Sequence, residues 1–552
     1  MLLASLAASV VADAPTHRLL LAGGHLPVCS SFAPRACRNT PDWPEPARTQ
    51  RSLKISPERI RAWADAMRSE LEASRLRHLV LALMTVDRQA PGPQTPAELR
   101  EAMRALNVEI ELTGSTGNHR VTVDGEALYE TLSDRHWNAI VDFLERPPRD
   151  AEGNRQVERV DLDASRSQAS AAIYRRFVAM AAAAGNTKRP LIAISTAASR
   201  DPYDALDFYR GVFQQAGADV VWLPLDAALQ AARAAGQCER LKAFQADILG
   251  AFERARVWPE KFAEQQAFCR SSEPGTALID QIDGLFLNGG DQWLTLHAFR
   301  DAGHRPTPEL ERILARLADG SLALGGTSAG SAVQSAAFMI SNGSARAALE
   351  AGGRAAAPPP PGCERDASCP KGIQGDTLTW HPPGGLKTFS LGVADTHFSQ
   401  RMRQFRLLQL LAGTGQRYGF GIDETTALEV LRNDGHWNLR VHGRGGIWIL
   451  DLPPNAVTRV RPLAIESALM LRLGSGQQIQ FDPVIGLVAP PGAAMPGDSL
   501  RCRRVEPRGD FDRAFRQAEE GPGCITLQTS GGRFELSFGE APVRRFGVQF
   551  IP

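Results

Sequence analysis

The sequence predicts an α/β chain: a mostly parallel sheet flanked by helices, with a large insertion near the N-terminus and a β-rich C-terminal extension. Three observations predict it. Short apolar runs end in Gly-Gly or in small polar residues, as buried parallel strands do where they deliver the chain to a site. Amphipathic helical stretches alternate with those runs between 167 and 318, which is the pattern of strands connected by crossover helices. That alternation is absent from 28–165 and from the chain after about 455, so both read as additions to the core.

The elements follow in order. Met1 to Val11 is a short apolar run followed by Ala12-Asp13-Ala14, and residues 1–14 read as a secretory signal with a small-residue cleavage site. The core comprises 15–27 and 166–451. Its first strand is Arg18 to Gly24. Residues 28–165 are rich in Pro, Arg and Asp, carry amphipathic helical stretches at 56–77 and 95–106, and form the insertion. Residues 167–184 are Ala-rich and helical. Leu191 to Thr196 is a buried strand, Tyr203 to Ala216 a helix ended by Gly217, and Val220 to Leu225 a strand. Ile282 to Asn288 is a strand ending in Gly289-Gly290, Pro308 to Ala318 a helix, and Leu322 to Gly325 a short strand. Residues 341–385 are a Pro/Gly-rich insertion within the core. Phe389 to Ala394, Phe420 to Glu424 and strands near 426–451 complete the core. Residues 455–552 form a β-rich C-terminal domain with many Gly and Pro turns.

Composition bounds the function. The chain has 552 residues, 43% hydrophobic and 22% charged, with a formal net charge of +1. A near-neutral balance without long basic runs gives no reason to expect a nucleic-acid partner. No run of apolar residues is long enough to span a membrane, so no membrane partner is expected. The eight Cys fall into four local couples: Cys29 with Cys37, Cys238 with Cys269, Cys363 with Cys369, and Cys502 with Cys524. Such couples are compatible with disulfides in an oxidising compartment, although sequence leaves their connectivity open. With the N-terminal segment they point to a secreted or periplasmic protein. No Cys/His spacing matches a structural zinc site, and neither a metal nor an organic cofactor is expected.

The chemistry centres on Gly326-Thr-Ser-Ala-Gly330. A sharp strand-to-helix turn exposes a weak nucleophile, here Ser328, and sets the next N–H, that of Ala329, where an oxyanion can be held. The competing reading is a Ser that merely caps the helix. A serine hydroxyl needs a base, and the base an orienting carboxylate. His397, in Asp395-Thr-His-Phe-Ser-Gln-Arg401 after an apolar strand, is the candidate base. Glu424, beyond the strand Gly419 to Ile422, is the candidate carboxylate, with Asp423 as competitor. Arg401, Arg403 and Arg406 directly follow the base and offer forked donors for carboxylates, unless they are only a solvated helix face.

Together these segments resemble the S51 peptidases, and cyanophycinases more than aspartyl dipeptidases. The match rests on Gly23-Gly24, Ile194-Ser-Thr-Ala-Ala-Ser-Arg200, Gly289-Gly-Asp-Gln292, Gly326-Thr-Ser-Ala-Gly330, and Asp395 to Arg401 with Gly421-Ile-Asp-Glu424. The resemblance implies a class I glutamine amidotransferase-like fold, a Ser-His-Glu triad at Ser328, His397 and Glu424, and a homodimer. It implies cyanophycin, a polyaspartate whose β-carboxyls carry arginine, as substrate, and exopeptidase cleavage to β-Asp-Arg. In that reading Gly290 and Ala329 hold the oxyanion, and Gln292, Asp395, Thr396, Arg401, Arg403 and Arg406 bind substrate. Thr396 stands where cyanophycinases commonly have Gln, which keeps other aspartyl or β-aspartyl peptides as an alternative substrate. A catalytically inactive secreted binding protein on the same fold is the alternative from another class.

Overall fold

The computed structural model describes residues 17–482 except 40, 115–116, 272–274, 366, 434 and 461–462; beyond them it describes 486–488, 503–505, 523–529, 532–538 and 544–551. The expected signal segment and Cys502 lie outside the described residues.

Strand β1 (His17–Ala22) runs through the middle of the main sheet, buried over its last five residues. β2 (Leu191–Ser195), β3 (Asp219–Leu223), β4 (Gly284–Leu287) and β5 (Ala323–Thr327) continue it on one side in the order β1-β5-β4-β2-β3, all parallel. Their apolar runs carry no alternation because helices cover both faces, as a parallel sheet requires. On one face Gln168–Ala184 brings Tyr174 and Phe177 against Phe213 and Phe286; on the other a cluster that includes Leu296, Phe299, Leu310 and Leu317 packs against the strands.

β6 (Val393–Thr396), β7 (Tyr418–Ile422), β8 (Thr426–Asn433), β9 (His436–Gly443) and β10 (Gly446–Asp451) divide between two sheets. β8 and β9 extend the main sheet beyond β1 by antiparallel pairing. β6, β7 and β10 belong to a second sheet, in which β6 and β7 are parallel. The chain therefore crosses from one sheet to the other between Ile422 and Thr426, where Glu424 sits. Beyond residue 455 the strands join both sheets: Leu463–Gly474 pairs with β10, and Gln478–Asp482 pairs with β9.

Residues 28–165 hold helices Pro57–Met67, Ala73–Gln89, Pro96–Arg104 and Asp134–Leu144, and the hairpin Asn107–Asp124. They have their own apolar cluster around the fully buried Trp63. A network of buried charge ties them to the core. Arg254, with no exposed surface, pairs with Glu145 at 2.9 Å and Asp142 at 3.2 Å from the inserted region and with Asp201 from the core.

Several boundaries differ from those expected. The helix expected over 56–77 is two, because Glu72 caps a new start by accepting from the N–H groups of Ser74 and Arg75. The strand expected over Phe389 to Ala394 begins only at Val393; Phe389 makes a single bridge to Ser335 instead. Residues 341–385 hold helix Ala345–Ala351 and strands Gly353–Ala355 and Leu378–His381, which form a three-stranded sheet with Met339–Asn342 at the segment's entry. Among the described residues, three disulfides join Cys29 to Cys37, Cys238 to Cys269, and Cys363 to Cys369. Among the described residues, no helix is long and apolar enough to cross a membrane.

Candidate active site

Ser328 follows β5 at φ +53° and ψ −116°, and its side chain makes no capping hydrogen bond. The capping reading of this serine is thus not the one its geometry follows. A non-glycine residue at positive φ costs about 1–3 kcal/mol, which the surrounding structure must offset. Here the Ser328 N–H donates to Ala22 O at 2.9 Å, and Ser331 Oγ donates to Ala22 O and Gly326 O, both at 2.8 Å. The glycines of the turn serve close approach: a Cβ on Gly330 would lie 2.3 Å from Leu287 O, and one on Gly326 would lie 2.2 Å from Gly330 O.

His397 follows β6 in the second sheet, yet its Nε2 lies 2.8 Å from Ser328 Oγ and its Nδ1 lies 2.7 Å from Glu424 Oε1. The junction between the sheets makes this meeting. The His397 N–H donates to Gly23 O at the end of β1, and the Gly23 N–H donates to Thr426 O at the start of β8. Gly24, at φ +101°, lies close against the imidazole: a Cβ there would be 2.4 Å from both Cε1 and Nε2. Asp423, the competing carboxylate, faces elsewhere: it accepts from the N–H groups of Ser399 and Gly446, each at 3.0 Å. Its neighbour Glu424 is fixed by Gln400, whose Oε1 accepts the Glu424 N–H at 2.9 Å. Sequence reasoning gave neither Gln400 nor Gly24 a role; the signal for Gln400 was its place between His397 and Arg401.

Burial lowers the His397 pKa below its ordinary value. The Glu424 hydrogen bond opposes this, and the Arg401 and Arg403 charges add to it. This shift favours the neutral imidazole, the form that can accept a proton from Ser328.

Ser328, His397, Gly290, Ala329, Gln292, Asp395, Thr396 and all three arginines line one cavity of about 460 Å³, closed on one side by Pro358 to Pro361. The arginines differ in what they leave free. Arg406 is buried and grips Asp395 through Nε, at 2.8 Å, and through Nη2; its Nη1 donates to Gly343 O. Arg403 donates to Thr396 O at 2.7 Å and more weakly to Asp395. Arg401 is exposed at the mouth. Burial by itself would raise the Asp395 carboxyl, but the Arg406 and Arg403 charges hold it below the usual carboxylate range. Both Asp395 oxygens are thus taken up by Arg406 and Arg403. Gln292 also lines this cavity, and its side-chain amide donates to Ile340 O and Ser341 O. Among the described residues, no group of three or more His, Cys, Asp or Glu side chains is placed to hold a metal ion.

No family model matches the chain. It is 32% identical over 183 residues to the cyanophycinase of Trichormus variabilis, covering 33% of this chain and 49% of that one. It is 30% identical over 219 residues to the cyanophycinase of Geminocystis herdmanii, covering 38% and 68%. It is 33% identical over 175 residues to that of Synechococcus elongatus, covering 32% and 44%. The chain thus spans about half the length of the first two curated relatives it matches and just over two thirds of the Geminocystis one. The crystal structure of a peptidase from an acI-B1 actinobacterium overlaps 57% of this chain and 91% of that one, at 18% identity and a TM-score of 0.32.

Proposed function

The chain belongs to the cyanophycinase family, and we propose that it is a serine-type exopeptidase that hydrolyses cyanophycin to β-Asp-Arg dipeptides. One observation carries the reading: an unbroken relay from Ser328 Oγ through His397 to Glu424 Oε1, opening into a cavity walled by three arginines. In this mechanism His397 Nε2 takes the hydroxyl proton as Ser328 Oγ attacks the α-peptide carbonyl of a β-linked aspartyl residue. The N–H groups of Ala329 and Gly290 meet the charge that develops on the carbonyl oxygen. The intermediate collapses by breaking the C–N bond, and His397 gives its proton to the leaving amine. Water, deprotonated by the same imidazole, adds to the acyl-enzyme, releases the acid and restores Ser328. Glu424 stabilises the transient imidazolium. These steps call on no metal or organic cofactor.

Arg401 and Arg403 receive substrate carboxylates through their forked donors, Arg406 and Asp395 hold Arg403 in place, and Thr396 and Gln292 complete the pocket. The three disulfides are compatible with a secreted protein, and export to the periplasm or the medium is part of the reading. Purified protein incubated with insoluble cyanophycin should release β-Asp-Arg, and Ser328→Ala should release none. Cleavage of soluble aspartyl or β-aspartyl dipeptides with the polymer left intact would instead favour the alternative substrate class that Thr396 keeps open. Tight polymer binding without any product would favour the inactive binding protein.

A further inference from the structure

A second cavity, of about 900 Å³, adjoins the catalytic one. Both are lined by Ile248, Gly290, Asp291, Leu294, Pro360 and Pro361, which form their common wall. Residues 70–138 supply much of the remaining lining, through Glu70, Arg75, Asp134, Arg135 and Asn138; Arg200 enters from the chain after β2. This wall is rigidly built. Arg200 forks onto Asp142 at 2.6 and 3.0 Å and donates to Gly250 O at 2.7 Å. Arg135 forks onto Glu70 at 2.8 and 2.9 Å and donates to Ala246 O. Asp134 is paired with Arg365 of the Pro-rich segment, so two segments remote in sequence meet at a residue of the cavity's lining.

The chemistry of the two cavities differs. The catalytic one has three arginines against two aspartates, a site for carboxylates. In the second, Arg135 and Glu70 pair with each other, Arg200 pairs with Asp142 and Asp134 with Arg365, so these charges are already matched within the protein, whereas the lining carboxylate Asp291 has no ion-pair partner among the described residues. At the threshold stands Asp291. One of its oxygens accepts the Trp293 N–H at 2.7 Å, and the other has no hydrogen bond among the described residues. Beside it Ile248 keeps 39% of its surface exposed, an apolar platform at the boundary. A guanidinium on a methylene stem is the group that uses both features, its head on the carboxylate and its stem on the isoleucine. A volume of this size lies within the ~300–1,000 Å³ usual for small-molecule sites.

We propose that the second cavity is a subsite for the neighbouring unit of a branched aspartyl chain, with Asp291 receiving its guanidinium branch and Ile248 underlying the stem. The proposal rests on the hydrolytic reading for the identity of the ligand, and predicts that affinity grows with chain length.

Titration calorimetry on the full-length Ser328→Ala protein tests it, with soluble oligomers of one and of three β-Asp-Arg units as ligands. The three-unit oligomer should bind about tenfold or more tightly than the single unit, one charge-assisted contact being worth roughly that factor. Asp291→Asn, which keeps a helix-capping oxygen, should remove most of the difference, and so should Asn138→Trp, which fills the cavity. Circular dichroism checks that each variant is folded. Equal affinities for the two ligands, or a length effect that both folded variants retain, would overturn the subsite. A wild-type protein that fails to cleave the polymer while the length effect persists would overturn the hydrolytic reading and support the subsite.

Discussion

Ser328 sits in a backbone conformation that serine rarely adopts, and His397 likewise has a positive φ, +46°. Gly24 makes room for the imidazole between them. Gly24→Ala should therefore cost activity without unfolding the protein: a methyl 2.4 Å from the ring displaces Nε2 from Ser328. Misplacement on the ångström scale costs about 10²-fold in rate, and a fall of that size in kcat with a native circular dichroism spectrum is the expected outcome. The pH profile reports the same residue. With the His397 pKa depressed, the acid limb of kcat/KM should lie below the ordinary histidine value of about 6.5. Arg401→Gln removes a positive charge that disfavours the imidazolium, so the acid limb should move to higher pH. Glu424→Gln removes the group that favours it. The limb should then move lower while the rate itself falls by about 10²–10⁴. An acid limb indifferent to both changes would mean that His397 is not the base.

At the scale of elements, the decisive feature is the crossing between sheets after β7. Ser328 belongs to the main sheet, His397 to the second, and Glu424 to the link between them, so the relay exists only while the two sheets keep their junction. The Gly23, His397 and Thr426 backbone bonds supply that constraint. The helix Asp134–Leu144 has an analogous dependence on Arg254. Arg254→Met would leave Asp142, Glu145 and Asp201 buried with one cation fewer. The loss of a partner from a buried network costs about 3–5 kcal/mol, and urea unfolding should register a destabilisation of that order. A change under about 1 kcal/mol would show that water or Arg51 and Arg200 replace the missing charge.

For the whole molecule, the bridge between Cys238 and Cys269 closes a segment of 31 residues beside the catalytic sheet. Paired replacement of both by serine should lower unfolding free energy by about 3.5–4 kcal/mol through the entropy returned to the unfolded chain. The bridge between Cys363 and Cys369 spans only 6 residues and should matter less to global stability. Its place in the Pro-rich segment links it to the lining of the catalytic cavity, through Pro358 to Pro361. Differential scanning calorimetry of the two double variants ranks the contributions, and equal losses would contradict the loop-length argument.

Much of the site was legible along the chain because each of its parts stands at a strand end. Gly326 to Gly330, Asp395 to Arg401 and Gly421 to Glu424 each combine an apolar run with the residues that chemistry needs, and local pattern records such combinations. The same locality set the limits. The motif favoured Glu424 but left Asp423 beside it as a competitor; the two diverge because the backbone N–H groups of Ser399 and Gly446 claim Asp423 from a distance. The arginines were readable as a cluster, but their unequal freedom depends on how deeply each is buried and on Asp395. The helices of residues 28–165 announced themselves by periodicity, whereas their docking through Arg254 did not, since an arginine in sequence carries no sign of whether three carboxylates will surround it. By itself the sequence determined the alternation of strands and helices, the sharp turn and the candidates for the reactive side chains, because these follow from short-range sterics and burial. The tertiary structure alone decided what keeps Asp423 away from the histidine, which arginine remains open and where a second cavity adjoins the first, because those outcomes depend on two sheets and two inserted segments meeting in space.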